Sequence, residues 1–249
     1  MAGRAPNRNA GTENPRTHPM APSPDQPPRP LRVLVAYGPT HEPIDDVRFI
    51  GNRSSGRMGL AIAEELARAG CAVTVAAGPG VPLPATAGRA LRFRTAADLL
   101  TLLQAEWPAH DALVMAAAVA DYRPRAALEG KMRREAGART LELEPTQDIL
   151  ASLAPTTRPD QFVVGFALER PEELEASAAA KLERKRADAI VANPLRTMDA
   201  ADVDGALLLA GAPAQWLRPA GLLAKPAFAA WLAQVLLPRM HARCAGTRR

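Results

Sequence analysis

Residues 38–59 read Gly-Pro-Thr-His-Glu-Pro-Ile-Asp-Asp-Val-Arg-Phe-Ile-Gly-Asn-Arg-Ser-Ser-Gly-Arg-Met-Gly, a run rich in groups suited to holding an anion. The Arg48 guanidinium can meet a phosphate through two parallel N–H bonds. The Asn52 amide both donates and accepts. Ser54, Ser55 and Gly56 add donors just before a helical pattern in which Met58, Ile62, Leu66 and Ala69 recur and Gly70 closes the helix. The run at 31–37 that precedes the segment is apolar and reads as a buried strand. Strand, polar loop and helix N-terminus in that order make an anion site, because the free N–H groups of the first helical turn and the helix dipole face the loop. A connection this long in an α/β unit is usually functional. Ser54 and Ser55 have no base beside them, which excludes a nucleophilic serine, and nothing marks His41 as a general base.

Other charged groups stand at similar boundaries. Asp121 follows an apolar strand end, where a ligand-facing polar group is expected. Lys181 and Lys185 are four apart on an expected helix and share one face. The loop lacks a Gly-x-Gly-x-x-Gly turn. Gly51 and Gly56 have Walker A spacing, but Arg57-Met58 follow where Lys-Ser/Thr would stand. An oxidoreductase on this sheet would also need an acidic ribose reader after the second strand, and that place reads Gly78-Pro79-Gly80. A noncatalytic nucleotide-binding protein is the remaining alternative. With no acidic cluster to cage a metal, any Mg²⁺ would have to arrive on the phosphates of a bound ligand and on water.

The elements that must position these groups alternate along the chain. Further strands are expected at 72–77, 90–93, 112–116, 161–167 and 189–192. Helices are expected after Thr95, over 172–186, and over 225–237 with Phe228, Trp231, Leu232, Val235 and Leu236. Continuous apolar strands between amphipathic helices imply a Rossmann-like α/β fold, a parallel sheet with helices on both faces and ligands beyond the strands' carboxyl ends. Segments 131–134 and 140–144, joined through Gly137, read as an antiparallel flap, and 206–209 with 215–217 as a second hairpin.

Residues 1–30 contain eight of the 24 prolines and no apolar run, so they read as a solvated tail before a domain at 31–249, not as a signal peptide. No stretch approaches the apolar length of a membrane span. The net charge is +5, of which the tail carries +2 (Arg4, Arg8, Arg16 and Arg29 against Glu13 and Asp25). A mildly basic domain with 4% aromatics favours small anions and disfavours a nucleic-acid track. Cys71 and Cys244 form neither a metal spacing nor a disulfide framework, which fits the cytoplasm; Cys71 opens a strand and is expected to be simply buried.

The opening pattern Gly-Pro-Thr-x-Glu-Pro-Ile-Asp-x-Val-Arg-x-Ile-x-Asn-x-Ser-Ser-Gly-x-Met-Gly resembles that of the phosphopantothenate–cysteine ligases, the second domain of bacterial bifunctional coenzyme A enzymes. The resemblance continues in order through Ala-Ala-Ala-Val-Ala-Asp-Tyr at 116–122, Lys-Met-Arg-Arg at 131–134, Gln-Asp-Ile-Leu at 147–150, Val-Gly-Phe-Ala at 164–167, the Lys181/Lys185 pair and Val-Ala-Asn at 191–193. Gln147 stands where the family usually has Pro, and Arg133 and Arg134 replace lysines.

The resemblance implies that CTP, in preference to ATP, activates 4′-phosphopantothenate as an acyl-nucleotide, which L-cysteine then opens. It implies nucleotide contacts from Met115, Ala116, Ala117, Asp121, Lys131, Gln147, Asp148, Ile149, Leu150, Phe166, Lys181 and Lys185. It assigns phosphopantothenate to Arg48, Asn52, Ser54, Ser55, Gly56, Ala117 and Ala118, with Asn52 and Lys131 catalytic. Arg48 can come from the neighbouring subunit, implying a homodimer, and Lys131 rides on a flap that closes over the phosphates. The family is often fused to an N-terminal flavin-dependent decarboxylase. The segment before residue 31 is too short for one, so a monofunctional, flavin-free ligase is expected.

Overall fold

The computed structural model describes residues 29–246, apart from 135, 136 and 199; most of the expected solvated tail lies outside the described residues. Along the chain run β1 (Arg32–Pro39), β2 (His41–Pro43), β3 (Phe49–Gly51), α1 (Arg57–Arg68), β4 (Ala72–Ala77), β5 (Arg89–Arg92), α2 (Ala96–Glu106) and β6 (Ala112–Ala118). There follow β7 (Tyr122–Pro124), β8 (Leu143–Pro145), α3 (Ile149–Leu153), β9 (Phe162–Glu169), α4 (Pro171–Arg184) and β10 (Ala189–Pro194). The chain ends with β11 (Asp202–Val203), β12 (Ala206–Leu209), β13 (Gln215–Leu217), β14 (Leu223–Ala224) and α5 (Lys225–Gly246).

One eight-stranded sheet has the order β13-β12-β10-β9-β6-β1-β4-β5. The strands from β10 to β5 are parallel, and the β12–β13 hairpin extends one edge through two antiparallel pairings, β10–β12 and β12–β13. Successive residues of a strand face opposite sides. Thus Val33, Val35 and Tyr37 of β1 join the core under α1 and α5, while Leu34 and Ala36 join the core with α2, α3 and α4. The expected α/β fold, with a parallel-dominated sheet covered on both faces, is present. Thr95 caps α2 as expected: its hydroxyl accepts from Asp98 N–H at 3.1 Å, and the Asp98 carboxylate accepts from Thr95 N–H at 2.9 Å. Arg29, assigned to the tail, is tied to the domain by two bonds to the buried Asp111 at 2.6 and 2.7 Å.

Four expectations are corrected. The long loop after β1 is partly ordered as the β2–β3 hairpin, so the stretch free to cradle an anion shortens to 52–56. The antiparallel flap pairs β7 with β8, not 131–134 with 140–144, because the backbone groups around Lys131 are already bonded to the 44–48 turn. The last helix does not stop at 237. Pro238 removes one ladder bond, yet buried Met240, the Arg243–Asp188 ion pair and the Cys244 thiol donating to Asp160 O hold the C-terminal turns in place. Cys71 is only half-buried, and that burial pushes its thiol up.

Candidate functional site

The carboxyl ends of β6, β9 and β10 and the N-terminus of α1 surround a cavity of about 580 Å³. That size suits a nucleotide-scale ligand. α1 enters it bare: Gly56 has φ +70°, no side chain caps the helix, and Arg57, Met58 and Gly59 line the cavity. Their N–H groups are the ones an α-helix leaves unpaired. A Cβ at Gly56 would stand 2.7 Å from Val81 Cγ1, so the turn needs glycine for both conformation and space.

Asn52, Ser54, Ser55 and Gly56 form one wall. Asn52 donates through Nδ2 to Ala118 O at 2.5 Å and accepts from Ser54 N–H at 3.1 Å, which ties the loop to the end of β6. Met115, Ala116, Ala117 and Ala118 line the strand end, with Asp121 at the exposed rim. Thr146 pins the turn after β6, donating through its hydroxyl to Ala120 O at 2.6 Å and through N–H to Asp121 O at 2.9 Å. Gln147 and Asp148 follow. Ile149 and Leu150 reach the cavity from the core, both almost fully buried. Phe166, half-buried on β9, also lines the cavity.

The cations on α4 are already paired. Lys181 Nζ donates to Glu169 at 2.8 Å, and Glu169 also accepts from the Ser177 hydroxyl at 2.9 Å. Lys185 lies 3.5 Å and Arg184 3.7 Å from the Asp148 carboxylate, which also caps α3. Burial pushes the Lys185 ammonium below its ordinary value, against the pull of Asp148. A polyanion entering here would have to exchange partners with Glu169 and Asp148.

The Lys181 bond first, and Ser177 after it, hold the Glu169 carboxyl below its usual 4.5 despite burial. A carboxyl lowered in the folded state adds stability above its unfolded value, lost as pH falls through the folded value. The urea midpoint should therefore exceed that of Glu169→Gln near neutrality, and the gap should close as pH drops below 4.5. A gap constant over that range would show the pair contributes no pH-linked stability.

Arg48 and Lys131 are not brought to this cavity. They line a second, open concavity of about 600 Å³ with Met132, Arg133, Arg134, Gly137 and Arg139. Sequence reasoning also missed Glu169, Arg184, Thr197, Met198, Val203 and Lys225. Glu169 carried a usable signal, a carboxylate ending an apolar strand. Thr197, Met198, Val203 and Lys225 carried none, because only the tertiary fold brings them to β10. Among the described residues no group of three or more His, Cys, Asp or Glu could hold a metal ion, and no helix is long and apolar enough to cross a membrane.

Residues 29–218 match the family described as the DNA/pantothenate metabolism flavoprotein C-terminal domain. A curated cysteine/cysteine sulfinic acid decarboxylase from an unknown prokaryotic organism is 41% identical over 166 residues, 66% of this chain and 46% of that protein. The coenzyme A biosynthesis bifunctional protein CoaBC of Vibrio cholerae is 40% identical over 165 residues, 65% of this chain and 41% of that protein. The chain thus spans less than half the length of these curated relatives. A crystal structure of the C-terminal domain of a CoaBC protein superposes with a TM-score of 0.69 at 30% identity, covering 85% of this chain and 96% of that one. The chain therefore belongs to the DNA/pantothenate metabolism flavoprotein C-terminal domain family, the ligase-domain family that its ordered motifs resemble.

Proposed function

We propose that the chain joins 4′-phosphopantothenate to L-cysteine through an acyl-nucleotide, with CTP preferred over ATP. The observation that carries this reading is that Asn52, Asp121 and Lys181, far apart in sequence, line one cavity at the strands' carboxyl ends. A carboxylate at neutral pH is a poor electrophile. One of its oxygens attacks the α-phosphorus of the nucleotide, and the bond to pyrophosphate breaks. The cysteine amine then attacks the acyl carbon, loses a proton and expels the nucleoside monophosphate. Both steps need two anions held in contact.

The α1 N-terminus with Ser54 and Ser55 offers donors to both anions where they meet. Lys181, Lys185 and Arg184 add charge for the nucleotide. Asp121 at the rim suits hydroxyl or amine groups of the nucleoside, and Phe166 offers a face to its base. Mg²⁺ would come with the triphosphate, held by phosphate oxygens and water, and supply charge neutralisation at phosphorus. Glu169 and Asp148 are engaged with Lys181, Lys185 and Arg184, which leaves Asp121 alone among the cavity carboxylates of the described residues, so the residues present do not fit a protein-only cage.

The exposed apolar side chains Val47, Phe49, Tyr122, Leu128, Leu141 and Leu143 lie on or beside the adjoining β2–β3 and β7–β8 hairpins. We propose this face as a homodimer contact in a cytoplasmic enzyme, which would let Arg48 serve a neighbour's cavity. The test is pyrophosphate release with phosphopantothenate, cysteine and each nucleotide in turn. Release is expected only with the complete set and faster with CTP. No release with any nucleotide would overturn the proposal.

A further inference from the structure

The 44–48 turn and the 128–132 segment are joined by a bracket of hydrogen bonds, with partners 84 positions apart at Asp46 and Gly130. Leu128 N–H donates to Ile44 O at 2.9 Å. Asp46 N–H donates to Gly130 O at 3.2 Å, and Gly130 N–H donates back to the Asp46 carboxylate at 3.0 Å. Beyond Lys131, Met132 N–H donates to Asp45 at 3.0 Å and the Arg48 guanidinium donates to Met132 O at 2.5 Å. The residues on both sides of Lys131 thus have N–H and C=O bonded. Lys131 stands at a fixed root, not on a free loop.

Asp45 is the hub of this bracket. Its side chain is fully buried, and one oxygen accepts the N–H groups of Val47 at 2.9 Å and Arg48 at 2.7 Å. The other accepts Met132 N–H and lies 2.9 Å from the Arg48 guanidinium. One carboxylate therefore holds the backbone of both segments and the head of one cation. Burial alone would raise its carboxyl, but the N–H groups of Met132, Val47 and Arg48 and the guanidinium hold it below its ordinary value.

We propose that Asp45 is a positioning residue that fixes Arg48 and Lys131 as one preorganised cationic unit, so that the two meet an anionic substrate together. Naming that anion a substrate phosphate rests on the ligase reading; the bracket itself does not. A lysine on a free loop would lose far more conformational freedom on binding than one whose backbone is already ordered. An amide at position 45 has a single oxygen, so one set of N–H groups would face an NH₂ donor.

Trypsin must release both Gly130 and Met132 to cut the Lys131–Met132 bond, so its rate reads bracket opening. In the full chain, Asp45→Asn should raise cleavage after Lys131 about tenfold relative to sites elsewhere, through loss of charged hydrogen bonds. Asp46→Ala, at an exposed position outside the buried hub, should raise it less and with no change in thermal midpoint, which guards against a general loss of fold. Unchanged relative cleavage in Asp45→Asn overturns the proposal, whatever Asp46→Ala does. In the ligase assay, Asp45→Asn added to the double variant Arg48→Ala/Lys131→Ala should cost less than about twofold, because its effect passes through those two side chains; a larger independent loss also overturns it. A chain without ligase activity whose bracket loosens in Asp45→Asn would sink the functional reading and leave the bracket standing.

Discussion

Asn52→Ala is expected to let pyrophosphate leave at nearly the normal rate and to slow amide formation by about 10²–10³-fold, so that the acyl-nucleotide accumulates. The geometry gives the reason. Ala118 O at the end of β6 accepts both Thr40 N–H at 3.1 Å and Asn52 Nδ2, while Asn52 Oδ1 accepts Ser54 N–H. These bonds lock the amide plane and use one of its two N–H groups and one lone pair of its oxygen. One N–H and one lone pair remain for a ligand, in a fixed direction at the junction of the two proposed anion sites. An orienting amide of this kind matters most when charge develops on the acyl oxygen during attack by the amine. Loss of the loop's anchorage alone would slow both half-reactions alike. Rapid quench with α-labelled nucleotide, without cysteine and then with it, separates the two. Equal slowing of both steps would remove Asn52 from the chemistry and make it an anchor only.

The place of Asn52 on the cavity wall was legible in the sequence because its neighbours are: an apolar strand, a hydroxyl-rich turn and a helix whose first apolar residue is Met58. The parallel sheet was legible for the same reason, since continuous apolar runs bounded by turn residues specify buried strands regardless of distant contacts. What failed depended on contacts across the chain. The sequence 131–134 is basic and unpatterned, and only the 44–48 turn determines that the Met132 backbone bonds to Asp45 and Arg48 and not to a partner strand. The C-terminal turns of α5 persist past Pro238 because Met240 and Arg243 find partners on distant elements, an override of local propensity by packing. Glu169 was visible as a carboxylate ending an apolar strand, but its pairing was not, because the sequence does not show that the ammonium of Lys181, 12 residues on, meets it. Its pairing alters how the cations should be pictured: they are poised against carboxylates, and a triphosphate must displace those contacts to be held.

Gly59→Ala should lower the thermal midpoint by about 4–8 °C and weaken binding of both anions, although alanine is the better helix former by about 1 kcal/mol. α1 crosses β1 so closely that a Cβ at Gly59 would stand 2.2 Å from Tyr37 Cβ and 2.9 Å from its Cγ. Tyr37 cannot yield. It is fully buried in the middle of the sheet, and its hydroxyl donates to Pro82 O at 2.7 Å. Burial pushes its phenol up to about 12, so it remains a neutral donor at any working pH. The strain falls instead on the helix, which must lift from the sheet. Overpacking of this kind costs about 1–3 kcal/mol, and displacing the buried face of a whole helix lies at the upper end. The first turn of α1 is also the cavity's source of N–H donors, so a shift of even 1 Å moves them off the ligand. The expected signature is a raised KM for both phosphopantothenate and nucleotide together with a lowered midpoint. Gly70→Ala separates the two causes, since Gly70 follows the same helix with open space around it and φ +87°, and its replacement should cost stability without a change in KM. An unaltered KM in Gly59→Ala would mean that the helix N-terminus holds neither anion.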